Sequence, residues 1–346
     1  MEINKKILVT GGAGYIGSHT IIEILENTDF EVVSIDNYSN SSPQAYERIK
    51  KITKREVVNY NCDLCDKNEL EKIFKKESNI IGIIHFAAFK SVPESVTNPN
   101  KYYNNNINSL LNILECCLKF NVPNFIFSSS CSVYGNISEL PVKENTPLSK
   151  AESPYAYTKQ VGEEILKDYS KANPQLKIIA LRYFNPVGAH ISGLIGEDPI
   201  NKPTSLVPVI TQTAIGKIKQ LTVYGKEYDT RDGSCIRDYI HVTDIAIAHI
   251  KALNYLMQNK NKSNFILFNL GTGNGVSVLE AIYSFEKITG IKLNYIIGKK
   301  REGDVAAIYS ETTLSKKELG WDAKFGLDEM MSSAWRWELN LKNSKQ

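Results

Sequence analysis

Two hydrophobic rhythms divide this chain. Short runs rich in apolar residues lie at 6–10, 31–35, 56–60, 82–85, 124–128 and 176–181. Runs of this length without strict alternation suit strands covered on both faces. Over 67–75, 105–120 and 155–171 apolar residues recur every three or four positions, which predicts helices with one buried stripe. Strands alternating with helices predict a doubly wound parallel α/β sheet. Such sheets hold ligands beyond the carboxyl ends of their strands. Asp36, Asp63, Lys90, Ser130 and Asn185 come after successive strands, so the pattern sets them along one edge and one cleft. After Asn185 the rhythm breaks. Residues 186–236 are rich in Gly, Pro and turn formers and predict a smaller, irregular lobe. Helical spacing returns over 244–257, and 265–270 with the remaining tail is expected to complete the second lobe.

The first strand runs straight into Gly11-Gly12-Ala13-Gly14-Tyr15-Ile16-Gly17, and an amphipathic stretch through Ile21, Ile22 and Leu25 follows. Strand, glycine turn and helix together form a dinucleotide-binding fingerprint of the Rossmann type. Gly11 permits the tight turn, Gly14 lets backbone N–H groups approach a pyrophosphate, and Gly17 lets helix pack on strand. The helix N-terminus then faces the diphosphate. Asp36 ends the second strand, roughly twenty residues beyond the last glycine, where a carboxylate accepts from ribose hydroxyls and repels a 2′-phosphate. No Arg or Lys stands between Asp36 and Arg48, so NAD is expected rather than NADP.

Composition narrows the function classes. The chain has 346 residues, enough for one large domain or two, with 42% hydrophobic and 23% charged residues. A net charge of +3 is too small to imply a nucleic-acid or membrane partner. No apolar run approaches a membrane span, and the chain enters its first strand almost at once, so a cytoplasmic protein is expected. Six cysteines in a chain this long do not form a disulfide framework. Cys62-Asp63-Leu64-Cys65 has zinc spacing but no second pair. No metal site is expected.

Tyr155 and Lys159 stand four residues apart on a predicted helix and share one face. A phenol titrates near ~10, too high for a base at neutral pH, and a neighbouring ammonium favours its ionised form. A shift of about 3 units needs about 4 kcal/mol of charge stabilisation, which is expected from one close cation and a cationic cofactor together. Ser128-Ser129-Ser130 ends a strand whose carboxyl edge belongs to the same cleft. Gly271-Thr272-Gly273-Asn274-Gly275 mimics a second phosphate loop, but no acid follows at the required spacing, so a structural turn before a helix at Val278 is expected.

These segments, with 10–17, Asp36-Asn37, 85–92, 128–135, 181–189, 237–242 and 301–304, resemble the extended short-chain dehydrogenase/reductase family, in its branch that epimerises nucleotide sugars. The resemblance runs to about Trp337. It implies a UDP-hexose 4-epimerase that interconverts UDP-galactose and UDP-glucose through a transient 4-keto sugar, with NAD held as a prosthetic group. It also implies a homodimer through first-domain helices. The implied division is 1–185 for NAD, with 237–262 returning to it, and 186–236 with 263–346 for the UDP-sugar.

The resemblance further implies residue roles. Tyr155, Lys159 and Ser130 are the catalytic set, with Lys159 also on the nicotinamide ribose. The cofactor set is Gly11, Gly14, Tyr15, Ile16, Gly17, Asp36, Asn37, Asn40, Ser41, Asp63 and Leu64, the last two lying against the adenine. It continues with Phe86, Ala87, Ala88, Lys90, Asn105, Tyr155, Lys159 and Phe184. Substrate contacts fall on Lys90, Ser130, Tyr155, Asn185, Ser205, Leu206, Tyr224, Arg237, Arg301, Asp304 and Ile308. Tyr224 stacks on uracil, and Arg237 and Arg301 hold the diphosphate. A plainer reading makes these two arginines partners of Asp238 and Asp304. Related dehydratases carry an Asp-Glu pair where this chain has Cys131 and Ser132, which argues against water elimination. One departure is Ser205, where the family commonly has Asn.

Overall fold

β1 (Lys6–Thr10) lies at the centre of a seven-stranded sheet, and its Ile7, Leu8 and Val9 are wholly buried. Each such side chain contributes about 1.5–3 kcal/mol through burial. The computed structural model describes residues 5–200, 203–301 and 304–344. After β1 come α1 (Tyr15–Asn27), β2 (Glu31–Asp36), α2 (Gln44–Thr53), β3 (Val58–Asn61), α3 (Lys67–Lys76) and β4 (Ile80–His85). α4 (Val92–Thr97), α5 (Pro99–Lys119), β5 (Asn124–Ser130), α6 (Pro154–Ala172) and β6 (Lys177–Tyr183) complete the first half. The second half holds β7 (Asn185–Val187), α7 (Leu206–Ala214), β8 (Leu221–Tyr224), β9 (Ile236–His241), α8 (Val242–Met257) and β10 (Phe265–Leu270). It ends with β11 (Gly275–Ser277), α9 (Val278–Thr289), β12 (Tyr295–Gly298), β13 (Ala307–Ile308) and α10 (Leu327–Asn343).

The large sheet runs β10-β6-β5-β4-β1-β2-β3, and every pairing in it is parallel. Strand order reverses between β1 and β4, and a crevice opens there beyond the carboxyl ends. One face is covered by α1, α2 and α8 through a core containing Ile21, Ile22, Leu253 and Leu256. The other is covered by α3, α5 and α6 through Leu70, Leu110, Ile113, Leu114 and Leu166. This is the doubly wound Rossmann-type sheet that the alternating rhythm predicts.

The second half is threaded differently from the expected division. β9 joins β7, β11 and β13 in a small separate sheet, while α8, directly after it, packs on the large sheet. β10, expected in the second lobe, is the seventh strand of the large sheet and pairs with β6 from Phe265–Ile178 to Leu270–Tyr183. Trp321, from the C-terminal tail, also sits in the first core. The expected boundary at 263 is therefore corrected. FILFNL shows no clean alternation, and nothing within a strand says which sheet edge it will join. The separate core of the second lobe gathers Val207, Ile210, Val223, Leu279, Phe285 and Met331 from α7, β8, α9 and α10. A small cluster of Val133, Tyr134, Val142, Phe184 and Ile308 bridges the two halves.

Candidate active site

The glycine turn is built for an anion. Gly11 has φ +69°, in the left-handed region that favours glycine, and its N–H donates to the Ile35 carbonyl at 2.8 Å. A Cβ on residue 17 would lie 2.2 Å from the Gly11 carbonyl oxygen, so only glycine lets α1 approach the turn. Gly14 caps α1, no side chain bonds the helix N-terminus, and the first turn carries no acid. The leading N–H groups of a helix have no partner within it, and they favour negative charge. Asp36, 8% exposed, stands at the carboxyl end of β2. Its Oδ2 accepts the Ala13 N–H at 3.0 Å, and its Oδ1 accepts from the Tyr38 N–H at 2.9 Å and from Ser41 Oγ at 2.7 Å. Asn37 donates to Asp63 at 3.1 Å. Leu64 is buried, and Asn40 is exposed. A cradle that a Cβ would fill, with a fixed carboxylate beside it, fits a dinucleotide.

The next strand extends the cleft. Phe86 donates its N–H to the Thr10 carbonyl at 3.0 Å and packs against His249, and the Ala87 N–H meets Thr10 Oγ1 at 3.4 Å. Ala88 is half-buried. Lys90 reaches across to Glu197 at 3.3 Å. Tyr15 Oη donates to the Gly188 carbonyl at 2.6 Å, and Ile16 packs on the first core. The Asn105 side chain donates to Asn106 at 3.0 Å. Phe184 is buried in the bridging cluster.

Three serines close β5, and each has its own partners. The Ser128 carbonyl accepts from Lys159 Nζ at 2.7 Å, and the Ser128 hydroxyl pairs with the Tyr183 hydroxyl. Ser129 Oγ donates to Glu163 Oε1 at 2.5 Å. Ser130 Oγ accepts the Ser132 N–H at 3.2 Å and stands near enough to the Tyr155 phenol to favour its ionised form. α6 begins at Pro154 because Pro suits a first turn and Ser153 Oγ caps the Ala156 N–H at 3.2 Å. That start sets Tyr155 and Lys159 on the buried face of the helix.

Burial dominates the electrostatics of this group. It drives the Tyr155 phenol above its ordinary value, Tyr183 adds to the rise, and the nearby Ser130 hydroxyl opposes it. Lys159 is lowered to about 8 by burial, with Glu163 pulling it back up. Within the protein itself, desolvation therefore outweighs the help expected from Lys159. The expectation gives the lowering of the phenol to Lys159 and a cationic cofactor together, and the chain alone carries only the first of these.

The nucleotide end of the cleft gathers the expected cations. Arg237 Nη2 stands 3.8 Å and Arg301 Nε 3.4 Å from the two oxygens of Asp304. Two guanidinium groups share one carboxylate, which leaves net positive charge. The Arg301 guanidinium covers the Tyr224 ring at 4.1 Å. Of the 301–304 motif, Glu302 and Gly303 lie outside the described residues. Ser205 caps α7 in an extended conformation without a side-chain bond, and Leu206 follows at the first helical position. Asn185 is half-buried and pairs through β7 with Tyr239. Ile308 is buried, and β13 pairs it with Arg237.

Asp238 has no part in the cation pair. Successive strand residues face opposite ways, and its carboxylate is wrapped by the turn that imitates a phosphate loop. Thr272 supplies its N–H at 2.8 Å and its hydroxyl at 2.7 Å, and the Gly273 N–H lies at 3.2 Å. Ser310 adds its N–H at 3.1 Å and its hydroxyl at 2.6 Å. The 271–275 turn is an anion nest filled from within. Residues that carried no expected role also converge here. Glu163 and Arg182 form a buried pair behind Lys159, and Glu197 meets Lys90. The spacing of Glu163, one further turn along α6, was readable; nothing local in the sequence pointed to Glu197.

Residues 7–271 match the model of the NAD dependent epimerase/dehydratase family. The chain is 48% identical over 334 residues to the UDP-glucose 4-epimerase of Haemophilus influenzae, covering 96% of this chain and 97% of that one. The crystal structure of UDP-glucose 4-epimerase from Bifidobacterium longum, in complex with NAD+ and UDP, superposes with a TM-score of 0.93 at 45% identity. It covers 98% of this chain and 99% of its own. The Stenotrophomonas maltophila UDP-glucose-4-epimerase, with bound NAD and formylated UDP-arabinopyranose, gives 0.94 at 40% identity, over 99% and 100%. With a cradle that fits the dinucleotide and a match over most of its length, the chain belongs to the NAD dependent epimerase/dehydratase family.

Proposed function

We propose that this protein interconverts UDP-galactose and UDP-glucose by inverting the sugar's 4-carbon, with NAD as a resident cofactor. One observation carries the reading. The Tyr155 phenol, beside Ser130 and one helical turn from Lys159, stands at the carboxyl edge of the sheet that presents the dinucleotide cradle. End-to-end similarity to proteins named UDP-glucose 4-epimerase supports it.

Bound NAD supplies a hydride acceptor and donor at the sugar's 4-carbon. The chain does the rest. Tyr155 takes the 4-hydroxyl proton and later returns it to the same oxygen, once the 4-keto sugar has turned its other face to the hydride donor. Ser130 holds that oxygen against the phenol, since a hydroxyl both donates and accepts. Lys159 bonds the nicotinamide ribose and brings positive charge beside the phenolate. Arg237 and Arg301 grip the diphosphate, for which the guanidinium fork is suited, and Tyr224 receives the uracil. The UDP end is thus held by charge, while the sugar meets the apolar cluster of Phe184 and Ile308. A keto sugar can turn over there while its handle stays fixed.

The working form is a homodimer in the cytoplasm. Tyr157 of α6, 49% exposed, meets Tyr103 of α5 edge to face at 6.2 Å, and this outward aromatic pair supports joining through α5 and α6. All six cysteines are free, as a reducing compartment requires. The test is incubation with UDP-galactose without added NAD, followed by chromatography. Formation of UDP-glucose, with deuterium kept at the 4-carbon of labelled substrate, is expected. Solvent hydrogen at that carbon, or no turnover by a sample that retains NAD, overturns the reading. Light scattering tests the dimer.

A further inference from the structure

Tyr155, Lys159 and Glu163 follow one another at four-residue intervals along α6, and all three face the sheet. Glu163 is 4% exposed. A carboxylate leaves water only when it is paired and hydrogen-bonded. Arg182 of β6 grips it with two prongs, Nε to Oε1 at 2.9 Å and Nη2 to Oε2 at 2.6 Å. Ser129 of β5 adds its hydroxyl at 2.5 Å. Arg182 Nη1 continues to the Tyr134 hydroxyl and the Glu144 carbonyl, each at 3.1 Å, and Tyr134 donates to Asn269 of β10 at 2.6 Å. The carboxylate is thereby fixed to three adjacent strands. Its anchors lead to the catalytic set: Lys159 stands one turn earlier on α6, and Ser129 follows directly on Ser128, whose carbonyl accepts the Lys159 ammonium at 2.7 Å.

We infer that Glu163, anchored by Arg182 and Ser129, is a positioning residue that holds the Lys159 ammonium, and through it the Tyr155 phenol, in working register. This rests on the epimerase reading above. The groups that face Lys159 are few. α6 brings Glu163 and Tyr155. β4 brings His85, which burial keeps neutral. β5 brings the Ser128 carbonyl and the Phe127 ring, 4.8 Å from Nζ. Glu163 is the group that raises Lys159 against the effect of burial.

A purely structural role is the competing account, because a buried pair broken on one side strands a charge. The test therefore compares the holoenzyme with Glu163→Gln, with the double variant Glu163→Gln/Arg182→Met, and with Glu163→Asp. The double variant removes the stranded charge and is expected to recover most of the melting temperature lost by Glu163→Gln. Its kcat is expected to stay about 10- to 100-fold down, within the range for disturbed acid–base catalysis, with KM for UDP-galactose little changed. In Glu163→Gln, where Arg182 remains, loss of the anion weakens proton binding at Lys159, so the alkaline limb of the kcat profile moves to lower pH. NAD content after gel filtration should fall below the parent's at pH 7.5, under the parent lysine's value of about 8, but match it at pH 6, a readout that needs no turnover. Parental kcat in the stable double variant, with parental pH profile and NAD retention in Glu163→Gln, would overturn the inference. Where that variant does not fold, Glu163→Asp keeps the charge but withdraws it by one methylene, and parental kcat there overturns it equally. A parent protein inactive on UDP-galactose would instead sink the epimerase reading, and the NAD-retention comparison would still decide Glu163.

Discussion

Asp36 and Ala13 are joined by a 3.0 Å hydrogen bond from the Ala13 N–H to the carboxylate Oδ2. The acid that ends β2 thus shapes the phosphate turn after β1 as well as standing where a ribose would be read. Asp36→Ala removes both functions. Hydrogen bonds to charged groups contribute about 1.5–3 kcal/mol, so NAD affinity is expected to fall roughly 10- to 150-fold. Denatured parent protein should release NAD with little NADP. Recovery of mostly NADP would remove the role given to Asp36.

Tyr155→Phe deletes the phenol and little else. Turnover should drop about 10²–10⁴-fold, while UDP and NAD still bind. Near-parental turnover would mean that another group is the base. Ser130→Ala gives a subtler outcome. The nearby Ser130 hydroxyl is what opposes the rise of the buried phenol. Without it the phenol ionises at higher pH, so the rising limb of the kcat profile should move upward, and a limb that stays in place would separate Ser130 from Tyr155.

Much of this was legible because the chemistry is local. The turn glycines, Asp36, Ser130 and the Tyr155/Lys159 pair all sit at predicted strand ends or at fixed helical spacing, and the parallel sheet brings them to one edge. What the sequence hid is non-local. β10 joins the first sheet because β6 offers an open edge, a fact that FILFNL does not carry. Arg182 finds Glu163 only after β6 lies beside β5. Asp238 and Arg237 are neighbours in sequence but part company because a strand turns them to opposite faces. The 271–275 turn looks like a phosphate loop and holds an anion, but the anion is the chain's own. The Tyr155 phenol shows the remaining limit: spacing reveals a cation nearby, whereas the cost of burial depends on everything packed around it.

Burial also dictates how the fold responds to acid. His19 and His85 are lowered to about 3, and His241 and His249 to about 4, in each case chiefly by desolvation. Their ordinary value is near 6.5. Between these limits the unfolded chain binds protons that the folded chain refuses, so stability falls as pH drops below about 6.5. Each proton of difference costs about 1.4 kcal/mol per pH unit. The melting temperature should therefore decline steadily from pH 7 to pH 5. A flat profile over that interval would show that these imidazoles are hydrated or paired in solution.

Ile308 offers the most discriminating substitution. It packs with Val133, Tyr134, Val142 and Phe184 in the cluster that bridges the two halves, and β13 sets it beside Arg237. Isoleucine is stiff at its first torsion, so it does not swing aside for a larger sugar. The family resemblance implies that Ile308 lines the pocket beside the sugar's 2-substituent, and an acetamido group there would be forced against it at about 1–3 kcal/mol, by analogy with overpacking. UDP-galactose and UDP-glucose should therefore be favoured over their N-acetylated counterparts by about 5- to 150-fold in kcat/KM. Ile308→Gly should narrow that ratio. It also removes a buried side chain, and related truncations cost about 2–5 kcal/mol, so absolute rates fall for stability reasons alone. The ratio between the two substrates, measured below the variant's melting transition, is unaffected by that loss. Ile308→Val, which keeps the branch and most of the packing, should leave the ratio close to parental. An unchanged ratio in Ile308→Gly would mean that Ile308 only fills the cluster and that a neighbouring side chain sets the pocket.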